Sequence, residues 1–225
     1  MRFVIFDIDG TLTNTKQVDD KCYVKAFESA FGFSIEDTNW EKLQNVTDWG
    51  ITEELYQQHT GRYPDEDEYQ SMTKRFLQYL QEEKRRDQVQ FSEVPGAKAF
   101  FDRLRERPGI ALGIATGSWS PSARIKLNAI GIHTSGVVFA NSDHHKTRKE
   151  ITNHAIKLLI DQTESAPERI FYFGDGVWDF KTCQQLGIEF VGIDVRGDGR
   201  LKKMGAKNVF SHYLDPDEIL KIITG

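Results

Sequence analysis

Two aspartates one residue apart, Asp7 and Asp9, stand directly after the apolar run Phe3-Val4-Ile5-Phe6 and just before Gly10-Thr11-Leu12-Thr13. Carboxylates this close repel each other unless a cation or a proton compensates them, and the tip of a buried strand is a costly place for unpaired charge. The segment therefore reads as a strand that ends in a reaction centre. A calcium loop does not fit, because it needs a glycine in the sixth position and a glutamate in the twelfth, whereas Gly10 follows Asp7 directly after Asp9.

Further apolar runs of strand length recur at Ala111 to Ala115, Val137 to Ala140, Ile170 to Phe173 and Phe190 to Ile193. In an open parallel sheet, ligands bind outside the carboxyl ends of the strands, so the residues after each run are the candidates for chemistry. Thr116-Gly117-Ser118 offers a hydroxyl and closely approachable backbone N–H groups, which suit phosphate oxygens as well as an ordinary helix cap. Lys146 follows Asn141-Ser142-Asp143 and could neutralise a transferring phosphoryl group as a point charge, with Lys149, His144 and His145 as nearby competitors. Asp175 and Asp179 sit in Gly174-Asp175-Gly176-Val177-Trp178-Asp179. Asp7 and Asp175, from separate strand tips, are the hard oxygen ligands that magnesium prefers. Asp179 could cap the helix beginning near Val177. Neither a Walker loop nor a complete dinucleotide fingerprint is present.

Between the runs lie segments of helical period, such as Ala97, Phe100, Phe101, Leu104 and Ile151, Ala155, Leu158, Leu159. The alternation predicts an α/β fold, a doubly wound and mainly parallel sheet in a Rossmann-like core. From Thr15 to Gln90 no strand-like run appears, while Tyr23, Ala26, Phe27, Ala30 and Tyr69, Met72, Phe76, Leu80 keep helical spacing. We expect residues 15–90 to form an inserted α-helical cap domain over a catalytic core of residues 1–14 and 91–225. Its ends return to the acidic loop, so it is placed to act as a lid. Within it, the stretch Thr47-Asp48-Trp49-Gly50 is expected to face the site, with Trp49 choosing the leaving group or simply packing at a helix end.

The net charge of −5 and the lack of a dense Lys/Arg run argue against nucleic acid as the main partner. Cys22 and Cys183 are far apart and show no CxxC spacing, which suits a reducing cytoplasm rather than a disulfide framework or a zinc site. No apolar stretch approaches membrane-spanning length, so no membrane is expected as a partner. A monomer or a homodimer would be compatible with this composition.

Taken together, Phe6-Asp7-Ile8-Asp9-Gly10-Thr11-Leu12, Ala115-Thr116-Gly117-Ser118, Lys146 and Gly174-Asp175 through Asp179 resemble, in order, the four motifs of the haloacid dehalogenase superfamily. The resemblance is to the branch with a helical cap after the first strand, phosphoglycolate phosphatases among its members, and Pro95-Gly96 is similar to its return into the core. Lys146 lacks the prolines that often flank the third motif, and Gly176 replaces a commoner small polar residue. The resemblance implies a Mg2+-dependent phosphatase acting on a small phosphorylated metabolite through an aspartyl-phosphate. Asp7 would be the nucleophile and Asp9 the acid and base. Thr116, Gly117 and Lys146 would bind the phosphoryl oxygens. Asp7, Asp175 and the backbone carbonyl of Asp9 would hold the metal, with Asp179 behind them. A sugar phosphomutase of the beta-phosphoglucomutase type, a phosphonate hydrolase using Lys21 or Lys25, and a catalytically idle binding module are the alternatives.

Overall fold

The N-terminal apolar run becomes the inner strand β1 (Arg2–Phe6) of a six-stranded parallel sheet in the computed structural model, which describes residues 1–225. After β1 the chain leaves the sheet for three helices, α1 (Lys16–Phe31), α2 (Asp48–Thr60) and α3 (Glu66–Arg86). It then alternates through α4 (Ala97–Arg105), β2 (Ile110–Ala115), α5 (Ser120–Ala129), β3 (Val138–Ala140) and α6 (Arg148–Thr163). The remainder is β4 (Arg169–Gly174), α7 (Val177–Leu186), β5 (Glu189–Ile193), α8 (Arg200–Lys203), β6 (Asn208–Phe210) and α9 (Pro216–Thr224). No helix is long and apolar enough to cross a membrane.

The strand order β3-β2-β1-β4-β5-β6 puts the reversal of winding at β1. Phe6 pairs with Ile114 on one side and Phe173 on the other, so the loops after β1, β2 and β4 open side by side. That register is what brings residues distant in sequence to one place. Both faces of the sheet are covered, and alternate β1 side chains serve opposite layers. Val4 and Phe6 join the cluster formed with α4, α5 and α9, while Phe3 and Ile5 join the one formed with α6 and α7.

A third apolar cluster lies among α1, α2 and α3, with Tyr23, Phe27, Met72, Phe76 and Leu80 at its centre and Trp119 reaching it from the start of α5. The two chain crossings that join this helical segment to the sheet run side by side: the Asn14 N–H donates to the Ser92 carbonyl at 2.8 Å and the Val94 N–H to the Leu12 carbonyl at 3.0 Å. Three elements go beyond the sequence reading. The short β6 and α8 carry too few residues for a periodic signal, and α9 places Ile219, Leu220 and Ile223 against the sheet.

Phe100 of α4 stacks on Tyr213 at 5.2 Å and meets Phe6 edge-on at 6.4 Å, directly beneath the acidic loop. Phe100→Ala should cost about 3–5 kcal/mol of stability, measured as a lowered urea midpoint with an unchanged slope.

Candidate active site

The backbone after β1 is fixed before any side chain is considered. The Asp7 N–H donates to the Phe173 carbonyl at 2.9 Å, and the Gly10 N–H donates to the Thr13 carbonyl at 2.7 Å. Gly10 has φ +79°, and a Cβ there would collide with the Asp175 side chain, so the turn needs glycine for two reasons. Gly117 is required differently: a Cβ would come within 2.7 Å of the Arg148 guanidinium carbon.

Asp7, Asp175 and Asp179 bring one carboxylate oxygen each within 4.8 Å of one another. The cluster is compensated by two cations. Arg148 Nη1 lies 3.0 Å from Asp7 and 3.3 Å from Asp179, and Lys16 Nζ donates to Asp175 at 2.7 Å. Burial, partly offset by Arg148, raises the Asp7 carboxyl above its ordinary range and pushes Asp179 up to about 8. The Oδ1 atom of Asp175 is buried without a hydrogen-bond partner. An orphaned acceptor in a group of hard oxygen donors is what a divalent cation would satisfy, so this donor set fits magnesium.

The carboxylate of Asp9 turns away from this cluster. It accepts from the Thr15 hydroxyl at 2.5 Å, from Ser118 Oγ at 3.1 Å and from Lys126 Nζ at 2.5 Å. Burial pushes the Asp9 carboxyl up, but Lys126 and the two hydroxyls outweigh it and hold it below the ordinary value. The Lys126 side chain is fully buried and also donates to Asp19 at 2.8 Å and to Ser118 at 2.9 Å. Burial would strip its proton, yet the surrounding carboxylates keep it charged.

The structure separates the sequence-predicted residues. Gly117 and Ser118 line the cavity at the strand tips together with Asp7 and Asp9. Thr116 lies beneath them, its N–H donating to the Ala140 carbonyl at 3.1 Å and its hydroxyl accepting from the Ser118 N–H at 3.2 Å. Lys146 is not brought to Asp7. It pairs with Glu53 of α2 and lies 5.5 Å from the centre of the Tyr63 ring. Arg148 takes the place expected of it, because Thr147 and Glu150 form a capping box that starts α6 at Arg148 and leaves Lys146 outside the helix. That Thr-x-x-Glu pattern was the available signal. Trp49 also falls outside the cavity and packs edge-on against Tyr69 at 5.8 Å, while its neighbours Thr47 and Asp48 line it. Lys126 shares a face of α5 with the buried Ser122 and Ala123, but nothing in the local sequence marks it as a site residue.

The helical segment is clasped onto the sheet loops at this point. The Asp48 N–H donates to the Gly117 carbonyl at 2.7 Å, the Trp119 N–H donates to the Asp48 carboxylate at 2.8 Å, and Arg148 Nε donates to the Val46 carbonyl at 2.8 Å. Burial pushes the Asp48 carboxyl up to about 7.

A model of a family described as haloacid dehalogenase-like hydrolase matches residues 4–193. Among solved structures, a hydrolase from Pseudomonas syringae is 21% identical with a TM-score of 0.76, each chain covered over 100%. CbbY from Rhodobacter sphaeroides, solved in complex with phosphate, is 18% identical with a TM-score of 0.69 and 95% of each chain covered. Beta-phosphoglucomutase from Clostridium difficile is 19% identical with a TM-score of 0.72, covering 97% of this chain and 95% of its own. No curated protein sequence matches the chain.

Two outcomes test this charge arrangement. Lys126→Met should cost about 3–5 kcal/mol in urea denaturation, because Asp9 and Asp19 would be left buried without their cation. Asp48 keeps its proton up to about pH 7 in the fold, whereas an unfolded aspartate releases it near pH ~3.9, so its ionisation costs stability as pH rises between those values. Asp48→Asn, which retains the acceptor for Trp119, should therefore melt higher than the parent protein above pH 7, with the advantage fading toward pH 4.

Proposed function

The chain belongs to the haloacid dehalogenase-like hydrolase family, and on that premise we propose that it hydrolyses a small phosphomonoester through an aspartyl-phosphate on Asp7, with Mg2+ as cofactor. The observation that carries this reading is the convergence of Asp7, Asp175, Asp179 and Arg148 at neighbouring strand tips, with one Asp175 oxygen left for a cation. Asp7, Asp175 and the Asp9 carbonyl would hold the metal, which when bound offsets charge on the phosphoryl oxygens.

In the first step an Asp7 oxygen attacks phosphorus, the bond from phosphorus to the leaving oxygen breaks, and that oxygen takes a proton through Asp9, which, being held ionised, draws it from solvent. In the second, Asp9 takes a proton from water, the water oxygen attacks phosphorus, and the bond to Asp7 breaks to release phosphate. Lys126, Thr15 and Ser118 hold the Asp9 carboxyl in place for both transfers, and the ammonium favours the ionised form that the second requires. Arg148 serves as the phosphoryl-binding cation in place of Lys146, its planar fork suited to the oxygens of a transferring group. Gly117 and Ser118 line the same cavity, and the Ser118 N–H is held by the Thr116 hydroxyl. The helices α1 to α3 act as the cap that excludes water during reaction.

Release of inorganic phosphate from a panel of phosphomonoesters, with and without Mg2+, tests the reading. Turnover should need the metal and vanish in Asp7→Asn. Arg148→Ala should lose about 100- to 1000-fold in kcat, and Lys146→Ala far less. Conversion of a sugar phosphate into its positional isomer without phosphate release would identify a phosphomutase instead.

A further inference from the structure

The wall that the helical segment presents to the site carries a distinctive charge pattern. The cavity, of about 60 Å³, is bounded on that side by Asp19, Asp20 and Tyr23 of α1, by Trp40, and by Thr47 and Asp48. Each of the three carboxylates has one oxygen satisfied by the protein. Asp19 accepts from Lys126, Asp20 accepts from Trp40 Nε1 at 2.8 Å, and Asp48 accepts from the Trp119 N–H. In each the second oxygen has no protein donor, and none is among the sealed, unpartnered atoms, so it remains available to a ligand.

The cations around the cavity are already committed. Lys16 is bound to Asp175, Arg148 to Asp7 and Asp179, and Lys126 to Asp9 and Asp19. If Asp7 and Asp175 turn to a metal, the groups released are Arg148 and Lys16, and both line the cavity. Apart from Lys16, which begins α1, nothing positive stands on the wall of Asp19, Asp20 and Asp48 for a second phosphate or a carboxylate. Hydroxyl or ammonium donors would satisfy the free oxygens, and Trp40 and Tyr23, which line the cavity, offer apolar surface to the carbon skeleton of such a group.

We propose that this wall selects phosphomonoesters whose leaving group offers hydrogen-bond donors and carries no negative charge, which excludes phosphoglycolate and sugar bisphosphates as preferred substrates. The inference rests on the phosphatase reading above. A neighbouring groove of about 240 Å³ contains Arg196, whose charge acts on Asp20, and Arg200, which is tied to Asp198 and Glu41, and the Lys16–Asp175 pair borders both spaces.

The test compares matched esters at saturating Mg2+: phosphoethanolamine with phosphoglycolate, and glucose 6-phosphate with fructose 1,6-bisphosphate, alongside p-nitrophenyl phosphate. The member of each pair without a second anionic group should have the higher kcat/KM by about 100-fold or more, and Asp20→Lys should shrink that ratio at least tenfold. If Asp20→Lys does not fold, Asp20→Asn should move the ratio in the same direction. Preference for phosphoethanolamine or for glucose 6-phosphate tells the ammonium source of donors from the hydroxyl source. Equal or better turnover of phosphoglycolate or the bisphosphate overturns the inference. If p-nitrophenyl phosphate is hydrolysed through Asp7 without such a preference, the phosphatase reading stands and this inference alone fails. If no ester is hydrolysed, the phosphatase reading fails, and thermal shifts with the same esters decide the wall's chemistry. Protection only by the members without a second anionic group supports it, and equal protection by phosphoglycolate or the bisphosphate overturns it.

Discussion

The structure depends on the compensation of crowded carboxylates at the carboxyl edge of its sheet. Asp7, Asp9, Asp19, Asp48, Asp175 and Asp179 gather where β1, β2 and β4 end, and their mutual repulsion in a buried setting would oppose folding. Three cations answer it, Lys16 through its bond to Asp175 being one. Lys126 rises from α5 into Asp9 and Asp19, and Arg148 enters from the start of α6 between Asp7 and Asp179. Each cation sorts the acids into groups with distinct surroundings. Asp9 is held ionised, Asp7 and Asp179 are raised by burial, and so neighbouring carboxylates acquire different chemical characters.

The same arrangement explains the small residues of the loops. Gly10 lets Asp175 approach the β1 turn, and Gly117 makes room for the Arg148 guanidinium. A sheet with this register delivers the backbone positions, but only these absent side chains let the charges close to bonding distance.

How far the sequence was readable follows from this physics. Five strands announce themselves because a strand buried on both faces must be apolar throughout, and the helices show because each buries one stripe. The three-residue β6, half-buried along its length, carries neither signal. Asp7, Asp9, Asp175 and Asp179 were legible because acids directly after apolar runs are rare without a purpose. The cations were harder. Choosing Arg148 over Lys146 requires knowing where α6 begins, since a helix start decides which of two nearby side chains points inward. Lys126 comes from the interior of a helix and is assigned by burial, which no local pattern states. Trp49 and Asp48 are adjacent on α2, and only the packing of α2 decides that Asp48 lines the cavity while Trp49 packs on Tyr69.

Arg148 contributes one guanidinium to two tasks: it grips the Val46 carbonyl through Nε while meeting Asp7 and Asp179 through Nη1. A change in what surrounds the nucleophile therefore alters the force holding the 46–48 stretch, and any displacement of that stretch alters the charge felt at Asp7. By thermodynamic reciprocity the two are linked variables. One guanidinium thus joins the seat of the 46–48 stretch to the charge at the strand tips.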